Sequence, residues 1–317
     1  MWQANELASG DHLTAMKTET KENGMIFIIR RTLKQYPMIW FGVAFCCQLR
    51  RHWRHFFYVV SQWPSTVLFG QLTSRAQLLS FCELVHPVAI QQPLIRLGGP
   101  GDGGYLVPDD LDGIVACFSP GVGLLSAFEG DLADRGIPCF LADYSVDAPE
   151  MSHPLFDFEK KYVGPFTTGH HVSMTDWVAA KAPPTGDLIL QMDIEGAEYP
   201  VLLSMPDALL ARFRVVVLEC HGLDLLSHWM GYGVLHMVFT KLAQHFDVVH
   251  SHPNNASRML HYDGVPILPV LELTFLRKDR TIRSGHSLSF PHPLDAPIVP
   301  SCPDVALPPC WFQSSGH

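Results

Sequence analysis

The sequence predicts an α/β protein with a mostly parallel, doubly wound sheet of seven strands that ends in an antiparallel strand. Apolar runs that suit buried strands alternate with segments of helical spacing, which is typical of parallel sheets covered by helices on both faces. A glycine-rich turn joins the first core run to the first helix. The last apolar run follows its predecessor after a short loop with no room for a crossover helix, so its strand should be antiparallel.

The elements of this sheet follow a loop rich in glycine at 98–104, which only a flexible backbone tolerates. An irregular insert separates the second strand from the third. The predicted strands are Gly113–Phe118, Ile137–Ala142, Leu188–Met192, Val215–Leu218, Asp247–His250 and Pro266–Leu276. The predicted helices are Leu124–Arg135, Ala197–Leu210 and Val234–His245, and a further helical pattern covers 66–86.

The composition indicates a globular protein that acts on neither DNA nor RNA. The chain has 317 residues, of which 47% are hydrophobic and 17% charged, and its net charge is −9. A nucleic-acid surface needs clustered Lys and Arg, which the central part lacks. The eight cysteines include no C-x-x-C pair. This pattern favours buried free thiols in a reducing compartment, and we expect a cytoplasmic protein.

The sheet domain is predicted to occupy 92–280, with other segments on each side. Residues 1–24 are polar and predicted to be disordered, 25–91 form a helical segment, and 281–317 form a proline-rich disordered tail. Aromatic and basic residues crowd 25–60, but the apolar run there is too short to span a membrane. Two alternatives stay open for this segment: packing on the catalytic domain, or peripheral contact with a membrane interface.

A candidate cofactor site begins at the turn Ser119-Pro120-Gly121-Val122-Gly123, where a strand opens into a helix. Glycines let the backbone approach a ligand there, and the helix start offers free N–H donors. Asp143 closes the next strand and could accept hydrogen bonds from the ribose hydroxyls of a nucleoside. Glu129, in the intervening helix, faces either the cofactor or solvent.

The most specific motif is Asp193-Ile194-Glu195-Gly196-Ala197-Glu198, directly after a buried strand. Asp193 and Glu195 alternate, so an extended backbone would point both the same way. Crowded carboxylates favour a general base or a cation site. Glu198 is expected to compensate the dipole of the next helix.

Two further segments supply histidines at strand ends. Glu219 and His221 should face the same crevice, where His221 is a natural proton acceptor near neutral pH. His250 and His252 have a spacing that suits a metal, but no third ligand is near in sequence. A polar loop at the substrate entrance is the preferred interpretation of 250–255.

Together, the Asp193–Glu198 motif, the Ser119–Gly123 turn, the loop at 101–105 and the segment at 252–255 resemble the FkbM family of methyltransferases. The resemblance covers about 92–278. It implies a Rossmann-like fold, S-adenosylmethionine as methyl donor, and O-methylation of sugars, glycans or polyketides.

Carried over by position, the resemblance implies that Gly121, Gly123 and Asp143 hold the cofactor and that Asp193 lies beside its sulfonium end. Ser119, which opens the same turn, is a further cofactor-binding candidate. The candidate catalytic residues are His221, Asp193 and Glu195, because His221 or a carboxylate of the Asp193/Glu195 pair would take the acceptor's proton. The sequence departs from the family's usual acidic residue at the start of the glycine turn, where it has Ser119-Pro120. No residue is assigned as a metal ligand, and a divalent ion on the carboxylates is the weaker hypothesis.

Two other functions compete with methyl transfer. The Ser119-Pro120 departure suggests a binding or scaffold protein that has lost turnover. The glycine turn and Asp143 would also suit a nicotinamide-dependent oxidoreductase, although the expected terminal antiparallel strand counts against it. The acceptor and the oligomeric state are not specified by the sequence.

Overall fold

In a computed structural model of the chain, the structure describes residues 71–123, 125–285 and 288–313. The predictions for 1–24 and for the membrane-contact segment 25–60 lie outside the described residues. A compact unit extends from Gln71 to the C-terminus. Among the described helices, none combines the length and the hydropathy of a transmembrane segment.

A seven-stranded sheet forms the centre of this unit. Its strands are β3 Ile114–Pro120, β4 Cys139–Ala142, β5 Phe156–Glu159, β8 Asp187–Met192, β9 Phe213–Cys220, β10 Phe246–Pro253 and β13 Leu271–Arg277. They lie in the order β10-β13-β9-β8-β3-β4-β5. Six strands are parallel to one another, and β13 is antiparallel to both of its neighbours. The predicted sheet and its terminal antiparallel strand are therefore confirmed.

Three small two-stranded sheets, six α-helices and two short 3-10 helices complete the described elements. The small sheets pair β1 Leu94–Leu97 with β2 Tyr105–Pro108, β6 Tyr162–Gly164 with β7 His171–Ser173, and β11 Leu260–Tyr262 with β12 Val265–Ile267. The helices are α1 Arg75–Leu84, α2 Ala127–Asp134, α3 Met174–Lys181, α4 Glu198–Ser204, α5 Asp207–Leu210 and α6 Trp229–His245. Short 3-10 helices cover Leu223–Ser227 and Pro309–Trp311.

Each central strand contributes to two hydrophobic cores, one on each face of the sheet. In β8, Leu188, Leu190 and Met192 point into one core, whereas Ile189 points into the other. The first core is covered by α1, α3, α4 and α6, and the second by α2 together with the β1–β2 hairpin. Burial on both faces explains why the central strands are continuous apolar runs instead of alternating ones.

Two predicted elements are divided by proline. The helix predicted over Ala197–Leu210 ends at Ser204, and a second helix begins at Asp207. Pro206 lacks an N–H and disfavours a helical conformation at Met205, which is extended. Likewise, the strand predicted over 266–276 is interrupted near Pro269, which separates β12 from β13.

The described residues of 281–313, for which the sequence predicts a disordered tail, pack against the domain. This segment has little regular structure, but Ile298, Leu307 and Trp311 are buried against the domain. The indole Nε1 of Trp311 donates a hydrogen bond to the carbonyl oxygen of Pro266 at 2.9 Å. A few widely spaced apolar residues are sufficient to anchor a proline-rich chain, because prolines leave fewer backbone N–H groups to satisfy.

Candidate active site

A cavity of about 560 Å³ lies at the carboxyl ends of β3, β4 and β8. Its wall includes the glycine turn after β3, Asp143 after β4, and Asp193 and Glu195 after β8. The carboxyl edge of an open parallel sheet is the usual position of ligand sites in α/β proteins. The structure therefore brings these sequence-predicted residues to one place.

The glycine turn is packed tightly against the Asp193 backbone. Gly121 has a φ of +87°, and a Cβ there would overlap the carbonyl oxygen of Asp193. The Asp193 N–H donates to the Pro120 carbonyl at 3.2 Å, and the Gly121 N–H donates to that of Ala142 at 3.0 Å. Only glycine fits this position. At Gly123, by contrast, a Cβ would meet nothing within 4 Å, so the backbone there is open to a ligand.

Asp143 is held by hydrogen bonds that orient its carboxylate toward the turn. Its Oδ2 accepts from the Gly123 N–H at 2.8 Å, and its Oδ1 accepts from the N–H and the hydroxyl of Ser145, each at 2.7 Å. A carboxylate offers about four acceptor positions. Three of these positions on Asp143 are occupied, so one is free to accept a hydrogen bond from a ligand hydroxyl. If a ligand hydroxyl replaced the Ser145 hydroxyl, a second position would become available.

Ser119 does not face the cavity as the sequence-based assignment to cofactor binding requires. It is fully buried, and its hydroxyl lies 2.5 Å from Glu129 Oε1 and 2.7 Å from Gln191 Oε1. Both of these partners line the cavity. Glu129 is 3% exposed and lines the cavity, so it does not lie on a solvated helix face. Burial raises the pKa of Glu129 to about 7, despite the hydrogen bond with Ser119.

The Asp193–Glu198 motif leaves the strand conformation sooner than the sequence suggested. Strand β8 ends at Met192, and Glu195 has a left-handed φ of +57°, which is rare for a residue with a side chain. The expected extended alternation of Asp193 and Glu195 is therefore wrong. Their carboxylates nevertheless converge on His221, at the end of β9.

Three carboxylates face one ring nitrogen of His221. Its Nε2 lies 3.8 Å from Asp193 Oδ1, 3.7 Å from Glu195 Oε2 and 3.9 Å from Glu219 Oε1. The other ring nitrogen, Nδ1, lies 3.1 Å from Glu198 Oε1. Glu198 is fully buried rather than solvated at the helix start, so it is a partner of His221 and not only a dipole-compensating charge.

The pKa values of His221 and Asp193 are both raised in this cluster. Burial works against a charge on His221, but the hydrogen bond with Glu198 and the surrounding carboxylates raise its pKa overall. Burial and then the charge of Glu219 raise the pKa of Asp193. Neither a cationic imidazole nor a protonated carboxyl can accept a proton, so the raised pKa values do not choose between His221 and Asp193 as the general base. The two residues differ in position, because Asp193 lines the cavity and His221 does not.

The two histidines of β10 do not form a metal site with each other. His250 Nε2 lies 2.8 Å from Asp295, while His252 lies 3.0 Å from Glu272 and 3.1 Å from Asp304. Each therefore has its own carboxylate partners, two of which come from the tail. The polar loop that follows does reach the cluster, because the Asn254 amide donates to Glu219 Oε1 at 2.6 Å.

Several cavity residues were not found by sequence reasoning. Tyr162 and His171 line the cavity from the parallel pair β6–β7, and Lys161 lines it from the position before β6. All three lie within the insert that showed no clear period. Gln191 lines it from inside β8. Strands β6 and β7 are three residues long, and β8 is buried along all but its first residue, so no hydrophobic alternation marked these residues.

The comparisons with known proteins address the fold alone. No protein-family model matches the chain, and the comparison with curated proteins gives no match. Among solved structures, the 23S rRNA methyltransferase ErmE matches 68% of this chain and 72% of its own, with 12% sequence identity and a TM-score of 0.29. The resemblance to the FkbM family stays a prediction. The strand order, with one antiparallel strand inserted before the edge, is that of the Rossmann-like class I methyltransferase fold.

Proposed function

We propose that the chain transfers a methyl group from S-adenosylmethionine to a hydroxyl oxygen of a sugar, glycan or polyketide-like acceptor, as the resemblance to the FkbM family implies. The observation that carries the proposal is one cavity whose wall joins the Gly121–Gly123 turn, Asp143 and Asp193. These residues lie at the ligand-binding edge of a class I methyltransferase sheet.

The residues of the cavity fit this cofactor. Its volume of about 560 Å³ is within the usual range for small-molecule sites, about 300–1,000 Å³. Gly123 leaves the backbone open, and Asp143 has acceptor capacity for a ribose hydroxyl. Glu129 supplies a buried acidic group in the wall beside the turn. It would bind the α-ammonium group of the cofactor in place of the acidic residue that the turn itself lacks.

When bound, S-adenosylmethionine supplies a methyl group that its sulfonium already activates toward a nucleophile. The tasks left for the protein are to orient the acceptor hydroxyl and to remove its proton. Asp193 lines the cavity. His221 does not line it, but its Nε2 lies 3.8 Å from Asp193 Oδ1. Asp193 Oδ1 has no hydrogen-bond partner among the described residues. We assign the proton to Asp193 because it lines the cavity, and its ionised form is a stronger base than an ordinary aspartate.

A binding or scaffold protein without turnover is the alternative function. The Ser119-Pro120 start of the turn motivates it, whereas an inward-facing Glu129 supports the enzyme. The oxidoreductase loses support, because β13 is antiparallel between β9 and β10. Binding of the cofactor without methyl transfer to any acceptor would favour the scaffold.

Calorimetric titration of the full chain with S-adenosylhomocysteine tests the proposal. We expect the wild type to bind and Asp143→Ala to weaken binding by about 10-fold or more, since a hydrogen bond to a charged group contributes about 1.5–3 kcal/mol. Asp147→Ala is the matched control, because Asp147 is an exposed carboxylate nearby that pairs with Lys160. No binding by folded wild type would overturn the proposal. Transfer of labelled methyl groups to a panel of sugars then tests the acceptor class.

A further inference from the structure

Three side chains beside the cofactor cavity have the spacing of ligands on one metal ion. A carboxylate oxygen of Asp193, one of Glu219 and a ring nitrogen of His221 all lie within 4.8 Å of one another. Ligand atoms that share one divalent cation lie about 3–4.5 Å apart, given bonds of roughly 2.0–2.6 Å. The His221 Nε2 distances of 3.8 Å to Asp193 and 3.9 Å to Glu219 are in this range.

The imidazole of His221 is oriented as a metal ligand would be. Its Nδ1 lies 3.1 Å from Glu198 Oε1, so Nε2 is directed at the carboxylates. The same Glu198 oxygen accepts hydrogen bonds from the backbone N–H groups of Ile194 and Gly196 at 3.0 and 3.2 Å. Histidines that bind metals usually donate their other ring N–H to a carboxylate in this way.

The cluster also has a buried acceptor atom and more negative charge than its single basic group balances. Asp193 Oδ1 is buried and has no hydrogen-bond partner in the described part of the chain. Among the described residues, His221 is the only basic side chain within 4.0 Å of the four carboxylates. Even as an imidazolium, His221 balances only one of the negative charges that Asp193, Glu195, Glu198 and Glu219 carry when they are ionised. An unpaired buried acceptor among excess carboxylates favours a bound cation.

We propose that Asp193, Glu219 and His221 bind one divalent transition-metal ion, such as Mn²⁺, with Glu198 as the group that orients His221. The mixture of two carboxylates and one imidazole suits a metal of this class better than Mg²⁺ or Ca²⁺, which prefer oxygen ligands. Glu195, whose carboxylate is mostly exposed, lies on the open side of the site, 3.7 Å from His221 Nε2.

The site deepens the proposed function but does not depend on it. Because Asp193 belongs to the cavity wall, a metal ion on this residue would lie next to the acceptor. A metal ion lowers the pKa of a hydroxyl bound to it, which would help a sugar hydroxyl lose its proton. Metal binding itself needs no cofactor, so it can be measured in the absence of S-adenosylmethionine.

Titration of the metal-free full chain with Mn²⁺, followed by the loss of the free-ion electron paramagnetic resonance signal, tests the proposal. We expect one ion per wild-type chain, and an affinity weakened at least about 10-fold in Glu219→Gln and in His221→Ala. Asp224→Asn is the control, since it removes a carboxylate three positions after His221 and outside the cluster. It should bind Mn²⁺ as the wild type does. Failure of the wild type to bind one ion, or equal affinity in all variants, would overturn the site.

Glu219 is buried, so a substitution there risks unfolding the domain. We therefore add a measurement that needs only the wild-type protein. Bound Mn²⁺ broadens nearby nuclear magnetic resonance signals. At substoichiometric Mn²⁺, the ring signals of His221 should broaden first, and those of His245, at the opposite end of the sheet, should stay sharp. Broadening that begins at another histidine would place the ion elsewhere and overturn the proposal. Loss of cofactor binding with intact Mn²⁺ binding would reject only the methyltransferase function.

Discussion

The Nδ1 atom of His221 lies 3.1 Å from Oε1 of Glu198, a glutamate with no exposed surface. This contact joins two strand ends, because Glu198 begins the helix after β8 and His221 follows β9. The Tyr199 hydroxyl adds a second link by donating to the His221 carbonyl oxygen at 2.5 Å. The position of the His221 imidazole is therefore set by the turn that also presents Asp193.

Substitution of Glu198 should disturb both stability and metal binding. In Glu198→Ala, two backbone N–H groups and a buried imidazole lose their acceptor, and we expect the free energy of unfolding to fall by about 3 kcal/mol. Glu198→Gln keeps an acceptor oxygen and should lose less stability. Because the amide is a weaker partner for the ring, Mn²⁺ affinity should still fall by about 10-fold.

Urea unfolding and Mn²⁺ titration of the same samples distinguish these effects. Glu83→Gln, at an exposed position of α1, is the control and should change neither quantity. If Glu198→Gln binds Mn²⁺ as tightly as wild type, Glu198 does not orient the ring.

Cofactor binding should depend on pH through Glu129. Burial raises the pKa of this carboxyl to about 7, so the ionised form, which attracts an α-ammonium group, becomes more abundant as the pH rises through 7. The affinity for S-adenosylhomocysteine should therefore increase by about 10-fold between pH 6 and pH 8. Calorimetry across this range measures the effect.

The Glu129→Gln variant distinguishes the contribution of Glu129 to this pH dependence from that of other titrating groups. The amide has a similar shape and can still bond to Ser119, but it carries no charge. We expect weaker binding whose affinity changes little with pH. An unchanged pH dependence in the variant would show that another group is responsible.

The fold was largely predictable because its main determinants are local. Continuous apolar runs indicated the parallel strands, and the short loop before the last strand indicated its direction. The position of this last strand, β13, between β9 and β10 is set by pairing across the sheet, which no local sequence pattern shows. Strand β5, with the sequence Phe-Asp-Phe-Glu, escaped prediction because it is a half-exposed edge strand with two charged residues.

The candidate site was predictable as a location but less so as a set of contacts. Strand ends placed Asp143, Asp193 and His221 at one edge, as the structure has them. The direction in which side chains and backbone point within these turns was not predictable. The inward direction of Glu129 depends on packing against Ser119, and the left-handed backbone of Glu195 depends on the turn around it.

The tail should contribute to stability through Trp311. Its ring is 1% exposed and packs edge-on against Phe81 at 6.3 Å. Removing a large buried aromatic side chain costs about 3–5 kcal/mol, so Trp311→Ala should lower the free energy of unfolding by that amount and expose 288–313 to proteases. Leu294→Ala, at a position that is 43% exposed, is the control and should cost less than about 0.5 kcal/mol. A cost below 1 kcal/mol for Trp311→Ala would show that the tail does not depend on this anchor.

His252 should make the domain less stable in alkaline solution. Burial opposes its charge, but Glu272, Asp295 and Asp304 raise its pKa from 6.5 to about 9. A raised histidine pKa contributes stability that is complete below the unfolded value and is lost as the pH rises through the folded value. Between pH 7 and pH 9.5, the free energy of unfolding should therefore fall by on the order of 2 kcal/mol. In His252→Gln the total stability is lower, but this pH-dependent loss should disappear, and an identical slope in both proteins would contradict the assignment.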